Sequence, residues 1–142
     1  MDKVNVYIDV YFRGRANKGT GIYTIVLEAI GKSGVPKTKE FVRGVTETTK
    51  NRTAMLAVIE AFEHFNRACK VAVHINNQYV TNAMNQDYSK AKNSDLWEQL
   101  IELSAIHETT YYFTQQNAYS KAMETTMKHM EIEFKNDNGN EF

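Results

Sequence analysis

The sequence predicts an α/β domain: a mixed sheet of five strands, three antiparallel and then parallel crossovers, with helices on its faces. Two observations predict it. Residues 3–45 hold three runs rich in β-branched and aromatic residues with short glycine-bearing connections, the pattern of a meander. From Asn51 onward apolar residues recur at helical spacing, and single strand-like runs then alternate with helical ones.

In order, "KVNVYIDVYF" (3–12) reads as a buried first strand. "RGRANKGTG" places glycines at 14, 19 and 21 and reads as a turn or hairpin loop. "IYTIVLEAI" (22–30) is the second strand, "GKSGVP" the second turn and "TKEFVRGV" (38–45) the third strand. Met55, Val58, Ile59, Phe62 and Phe65 then share one face of a helix over 51–66. "KVAVHIN" (70–76) is a fourth strand, 78–84 a short helix and "DYSKAKNS" (87–94) a polar loop. Asp95 with Glu98 reads as a capping box opening a helix through Leu96, Trp97, Leu100 and Leu103. "TTYYFTQ" (109–115) is the fifth strand, and 118–134 a last helix with Met123, Met127 and Met130 on one side. One domain over 1–134 is expected, followed by a frayed tail over 135–142.

Seventeen basic and seventeen acidic side chains cancel, so no overall field draws the chain to nucleic acid or anionic lipid. The distribution is uneven. Ten Lys/Arg face five Asp/Glu up to Arg52, whereas five acidic residues face two lysines from Glu124 onward. A basic face with a compensating acidic tail and plain scattered solvated charge both fit this pattern. The single cysteine, Cys69, excludes an internal disulfide and reads as a packed residue in a reducing compartment. No apolar run approaches the ~20 residues of a membrane span, and Met1-Asp2-Lys3 leads directly into a strand. The expectation is a soluble cytoplasmic domain with no membrane partner. The four histidines (64, 74, 107, 129) lack zinc-ligand spacing.

"VHINNQYV" (73–80) raises the functional question, because it ends a strand in amides where open α/β sheets keep their ligands. Together with "YIDVYFRGRANKGTGIYTIVL", "TTKNRTAMLAVIEAF" and "KNSDLWEQL", in this order, it resembles type-1 ribonuclease H and the wider ribonuclease H-like fold. The likeness runs over most of 4–134. It implies enzymes that cleave the RNA strand of an RNA–DNA hybrid with two Mg²⁺ held between converging carboxylates, ~3.5–4 Å apart.

Carried onto this chain, the family's first-strand Asp matches Asp9, while its helix Glu falls on Ala54 and its fourth-strand Asp on Asn76. Its last-helix Asp falls at Met123, with Glu124 one residue and about 100° of helical rotation away. The histidine loop appears as "TQQNAYSK" without histidine, and Val10 replaces the glycine after the first Asp. Mg²⁺ needs hard anionic oxygens, and a neutral amide is a weak substitute. The expectation is therefore a vestigial Asp9, no catalytic residue assigned, and no cofactor, with Mg²⁺ relevant only to a residual nuclease.

The resemblance also implies polar contacts to a duplex. Thr49, Asn51 and Gln78 match positions on the phosphate and minor-groove edge, and Asn17 with Arg13, Arg15 and Lys18 lies in the first loop, where the family touches backbone. Amides bond sugar and base edges and cations neutralise phosphate. The plainer readings stand beside these: Asn77 as a helix N-cap, Asn51 as a cap of the long helix, and the loop cations as solvated charge. Tyr7, Tyr11, Tyr111, Tyr112 and Phe113 fit a stacking platform, although strand alternation makes half of them core. The function expected is a non-catalytic domain binding an RNA-containing duplex or hybrid. The alternatives are a protein-interaction scaffold, or a residual nuclease whose carboxylates come from Glu124, Glu60 or Asp87.

Overall fold

The computed structural model describes residues 2–15, 18–86 and 92–139, with side chains described as far as Glu131 except at Arg15 and Lys18. Strands β1 (Lys3–Arg15), β2 (Lys18–Ile30) and β3 (Pro36–Thr48) come first, and α1 (Lys50–Glu63) crosses to β4 (Lys70–Ile75). Helices α2 (Gln78–Gln86) and α3 (Ser94–Ala105) lead to β5 (Glu108–Phe113), and α4 (Ser120–Gly139) follows. The sheet runs β3-β2-β1-β4-β5, antiparallel from β1 to β3 and parallel from β1 through β4 to β5. This is the mixed five-stranded sheet that the residue pattern implies.

Alternation on β1 sorts its side chains between two layers. Val4, Val6, Ile8 and Val10 join Val71, Val73 and Ile75 in the core beneath α1, which contributes Ala54, Met55, Val58 and Phe62. Asn5, Tyr7, Asp9 and Tyr11 alternate onto the opposite face, where the Tyr7 ring meets Tyr119 of the segment leading into α4. Trp97 and Cys69 are buried, as their surroundings in the sequence suggest.

The first hairpin departs from the sequence reading. Its ladder continues to Arg15↔Lys18, so Gly19 and Gly21 lie within β2 and not in a turn. A Cβ on Gly19 would stand 2.4 Å from the Phe12 ring, and one on Gly21 would stand 2.2 Å from Thr53 Oγ1. These glycines permit close approach, which sequence alone does not separate from a turn signal.

Helix starts differ too. Thr49, not Asn51, caps α1, its Oγ1 accepting from Arg52 N at 3.1 Å. Asp95 does not cap α3. Asn93, left-handed at φ 59°, offers its carbonyl to the N–H groups of Leu96 and Trp97, both at 3.0 Å. Asp95 lies one residue inside and pairs with Arg52 at 2.8 Å, tying α3 to α1. Helix α4 runs through residues 135–139, beyond the point where fraying was expected. Of its methionine stripe only Met123 is buried; Met127 and Met130 are half-buried.

Candidate nucleic-acid interface

The parallel ladder between β1 and β4 ends at Ile8↔Ile75, and one residue on a side chain takes over. Asn76 Oδ1 accepts from Val10 N at 2.8 Å, and its Nδ2 donates to Val10 O at 3.3 Å. The primary amide imitates a peptide unit and extends the sheet by one bridge. A carboxylate could supply only the accepting half.

Asn77 caps α2, Oδ1 accepting from Val80 N at 2.9 Å, as expected for this residue. Its Nδ2 donates to Asn51 Oδ1 at 3.2 Å. Asn51 therefore orients against α2 while Thr49 satisfies the first turn of α1.

Asp9 is 3% exposed, and its Oδ1 has no hydrogen-bond partner. Burial pushes the carboxyl above the usual aspartate range, and a hydrogen bond from the Ser120 side chain opposes that shift. Ser120 Oγ also accepts from Asn117 N at 2.9 Å. The sequence reading missed Ser120, having assigned the last-helix position to Met123. Tyr11 is pushed up to about 12 by burial, then by the charges of Asp9 and Glu124.

Ala54 is fully buried and Met123 nearly so, and neither brings an oxygen donor. Glu60 is committed elsewhere: it accepts from Tyr23 and Arg43 and contacts His64. Glu124 is exposed and pairs with Lys128 at 3.1 Å. Asp87 lies outside the described residues. Among the described residues no three His, Cys, Asp or Glu gather so as to hold a metal ion. One buried carboxylate with an orphan oxygen is a donor set that does not fit two divalent cations.

Beside Asn76 a cavity of about 420 Å³ opens between the first turns of α1 and α2 and the carboxyl ends of β4 and β5. It unites Asn51, Asn76 and Gln78 from the sequence reading with Phe113, one of the aromatics read as a stacking platform, and adds Lys50 and Gln115, which that reading missed. Gln115 lies two residues past the end of β5, as Asn76 lies one past the end of β4, and an amide just beyond a strand was the available signal. No acidic residue lines the cavity. Thr49 serves α1 as its cap. Arg13 is ion-paired with Glu131 of α4 at 2.7 Å. Asn17 and the side chains of Arg15 and Lys18 lie outside the described residues.

The aromatic residues divide as alternation requires. Tyr111 is core, whereas Tyr7, His74 and Tyr112 stack in one row across three strands, with centroids 4.8 and 5.2 Å apart.

A β3-β2-β1-β4-β5 sheet with an acidic residue on its central strand and amides ending the neighbouring parallel strand defines a ribonuclease H-like protein. The sequence profile of the RNase H family matches residues 1–141, and the chain belongs to that family. It is 34% identical over 131 residues to the ribonuclease H of Ralstonia nicotianae, covering 83% of this chain and 82% of the relative. With that of Lachnoclostridium phytofermentans it shares 30% over 123 residues, 77% of each chain. Among solved structures, LC9-RNase H1, a type 1 RNase H with the type 2 active-site motif, superposes with a TM-score of 0.71 at 21% identity. That match covers 82% of this chain and 64% of the other, so the chain spans less than two thirds of that structure. RNase H1 from Halobacterium salinarum NRC-1 gives 0.62 at 19% identity, over 87% and 92% of the two chains.

Proposed function

We propose that this domain binds an RNA-containing duplex or RNA–DNA hybrid and does not cleave it. The observation that carries the reading is Asn76. Both of its polar atoms are committed to the Val10 backbone, where a metal-binding carboxylate would have to point away from the sheet. Ala54, at the matching helix position, offers only a methyl group to a sealed core. The groups that remain suit holding without cutting: amides for sugar and base edges, Lys50 and Arg13 for phosphate.

A second reading, residual metal-dependent hybrid cleavage, is favoured by the orphan Asp9 Oδ1, which a cation could satisfy, and by relatives named ribonuclease H. One experiment separates the two. Labelled hybrid is incubated with Mg²⁺ or Mn²⁺ beside an Asp9→Asn control, and binding is titrated against salt. Uncut hybrid, with affinity falling steeply as salt rises, supports the proposal. Metal-dependent cleavage abolished by Asp9→Asn overturns it.

A further inference from the structure

The geometry points to a subsite for one unpaired base in the 420 Å³ cavity, with Phe113 as the stacking surface; this rests on the nucleic-acid reading above. The volume falls within the roughly 300–1,000 Å³ of small-ligand pockets. Its lining divides into two sets. The inner amides of Asn76 and Asn77 are consumed by the fold, in the Val10 bridge and the α2 cap. The rim side chains of Lys50, Gln78 and Gln115 make no such bonds among the described residues, and Asn51 commits only its Oδ1.

The rim therefore offers a cation and several amide donors and acceptors, with no carboxylate to repel a phosphate. Phe113 is 37% exposed at the end of β5. Continuous duplex gives such a ring nothing to stack on, because its bases already stack on one another. A base at a frayed end, overhang or bulge has an open face, and base–aromatic contact is indifferent to sequence. Gln78 and Gln115 lie where they can meet the polar edge of that base, and Lys50 where it can meet the adjoining phosphate. The inference is a preference for hybrid carrying an unpaired nucleotide over blunt hybrid.

The test uses fluorescence anisotropy with a blunt RNA–DNA hybrid and the same hybrid carrying one overhanging fluorescent adenine analogue. The intact chain should bind the overhang form about tenfold more tightly and quench the analogue on stacking. Phe113→Ala should bring the ratio of affinities to about one and abolish the quench, while Phe113→Trp keeps both. Gln115→Ala, at an exposed position that does not test folding, should reduce the ratio in part. Equal affinity for the two hybrids, or an unchanged ratio in Phe113→Ala, overturns the inference and leaves the duplex reading intact. Binding of the overhang form alone sustains the inference and refutes the duplex surface. Binding of neither at low salt overturns both.

Discussion

Asn76 and Val10 form a side-chain-to-backbone bridge in which one amide satisfies both a donor and an acceptor of β1. The position where the resemblance places a metal-binding carboxylate is thus a structural joint in this chain. Asn76→Asp keeps the acceptor but sets an anion beside the Val10 carbonyl, which loses its donor. Urea unfolding should show a loss of about 1–3 kcal/mol at neutral pH. Equal or greater stability would mean that the side chain turns readily toward the cavity.

Asp9 carries a stability signature of opposite sign. Its folded-state pKa is raised by burial, so the folded chain holds this proton more tightly than the unfolded chain does. Stability from this group is present at low pH and is lost as pH rises from the ordinary aspartate value through the raised one. Asp9→Asn removes that loss and should stabilise the fold at pH 7, with the advantage shrinking toward acid. Thermal melts across pH read this directly. A destabilised variant at neutral pH would show that the carboxylate has a partner worth more than its burial costs.

Asn77 joins two helices, capping α2 and bonding Asn51 of α1. Asn77→Ala should cost about 1–2 kcal/mol in chemical unfolding, while Asn51→Ala should cost less because Thr49 holds the α1 cap. Reversal of that order would shift the capping role to Asn51.

Arg13 and Glu131 are ion-paired, and Arg13 is exposed. Arg13→Ala should weaken hybrid binding and lower the salt slope by about one counterion. Glu131→Gln should strengthen binding modestly by releasing the guanidinium, at little cost to stability for so exposed a pair. Salt titrations of the two variants check this, and identical slopes would remove Arg13 from the interface.

Gly21 marks where the fold was only partly legible. Its close contact with Thr53 predicts a loss of about 1–3 kcal/mol for Gly21→Ala, partly relieved by Thr53→Ala, which removes both the Oγ1 and the Cγ2 atoms that the new methyl would meet. In sequence Gly21 reads as a turn residue, because local composition does not reveal what packs against a strand from another element. The strands and helices were readable, since Val4, Val6, Ile8 and the 55–62 stripe carry their period on the surface of the sequence. Caps were read less well: Asp95 has a cap's chemistry, yet the ion pair with Arg52 claims it and Asn93 serves instead. In the candidate site, Asn76, Asn51 and Gln78 were found through their resemblance to the family. Phe113 was read only as part of an aromatic platform; its place with Gln115 beside the first turns of α1 and α2, and that of Ser120 beside Asp9, depend on contacts between elements that no local pattern encodes.

The approach to α4 rests on an unusual fastening. Glu28 on β2 accepts from Asn5 at 3.1 Å and from the Tyr119 hydroxyl just ahead of α4, and Asn5 in turn meets His74 at 3.2 Å. Only Met123 of the helix's described side chains is buried. An element latched at its approach by directional polar bonds, with few buried apolar side chains among those described, should detach as a separate cooperative unit before the sheet melts. Hydrogen exchange along α4 should then run ahead of that in β1 and β4, leaving a folded intermediate whose Asp9 face is open to solvent.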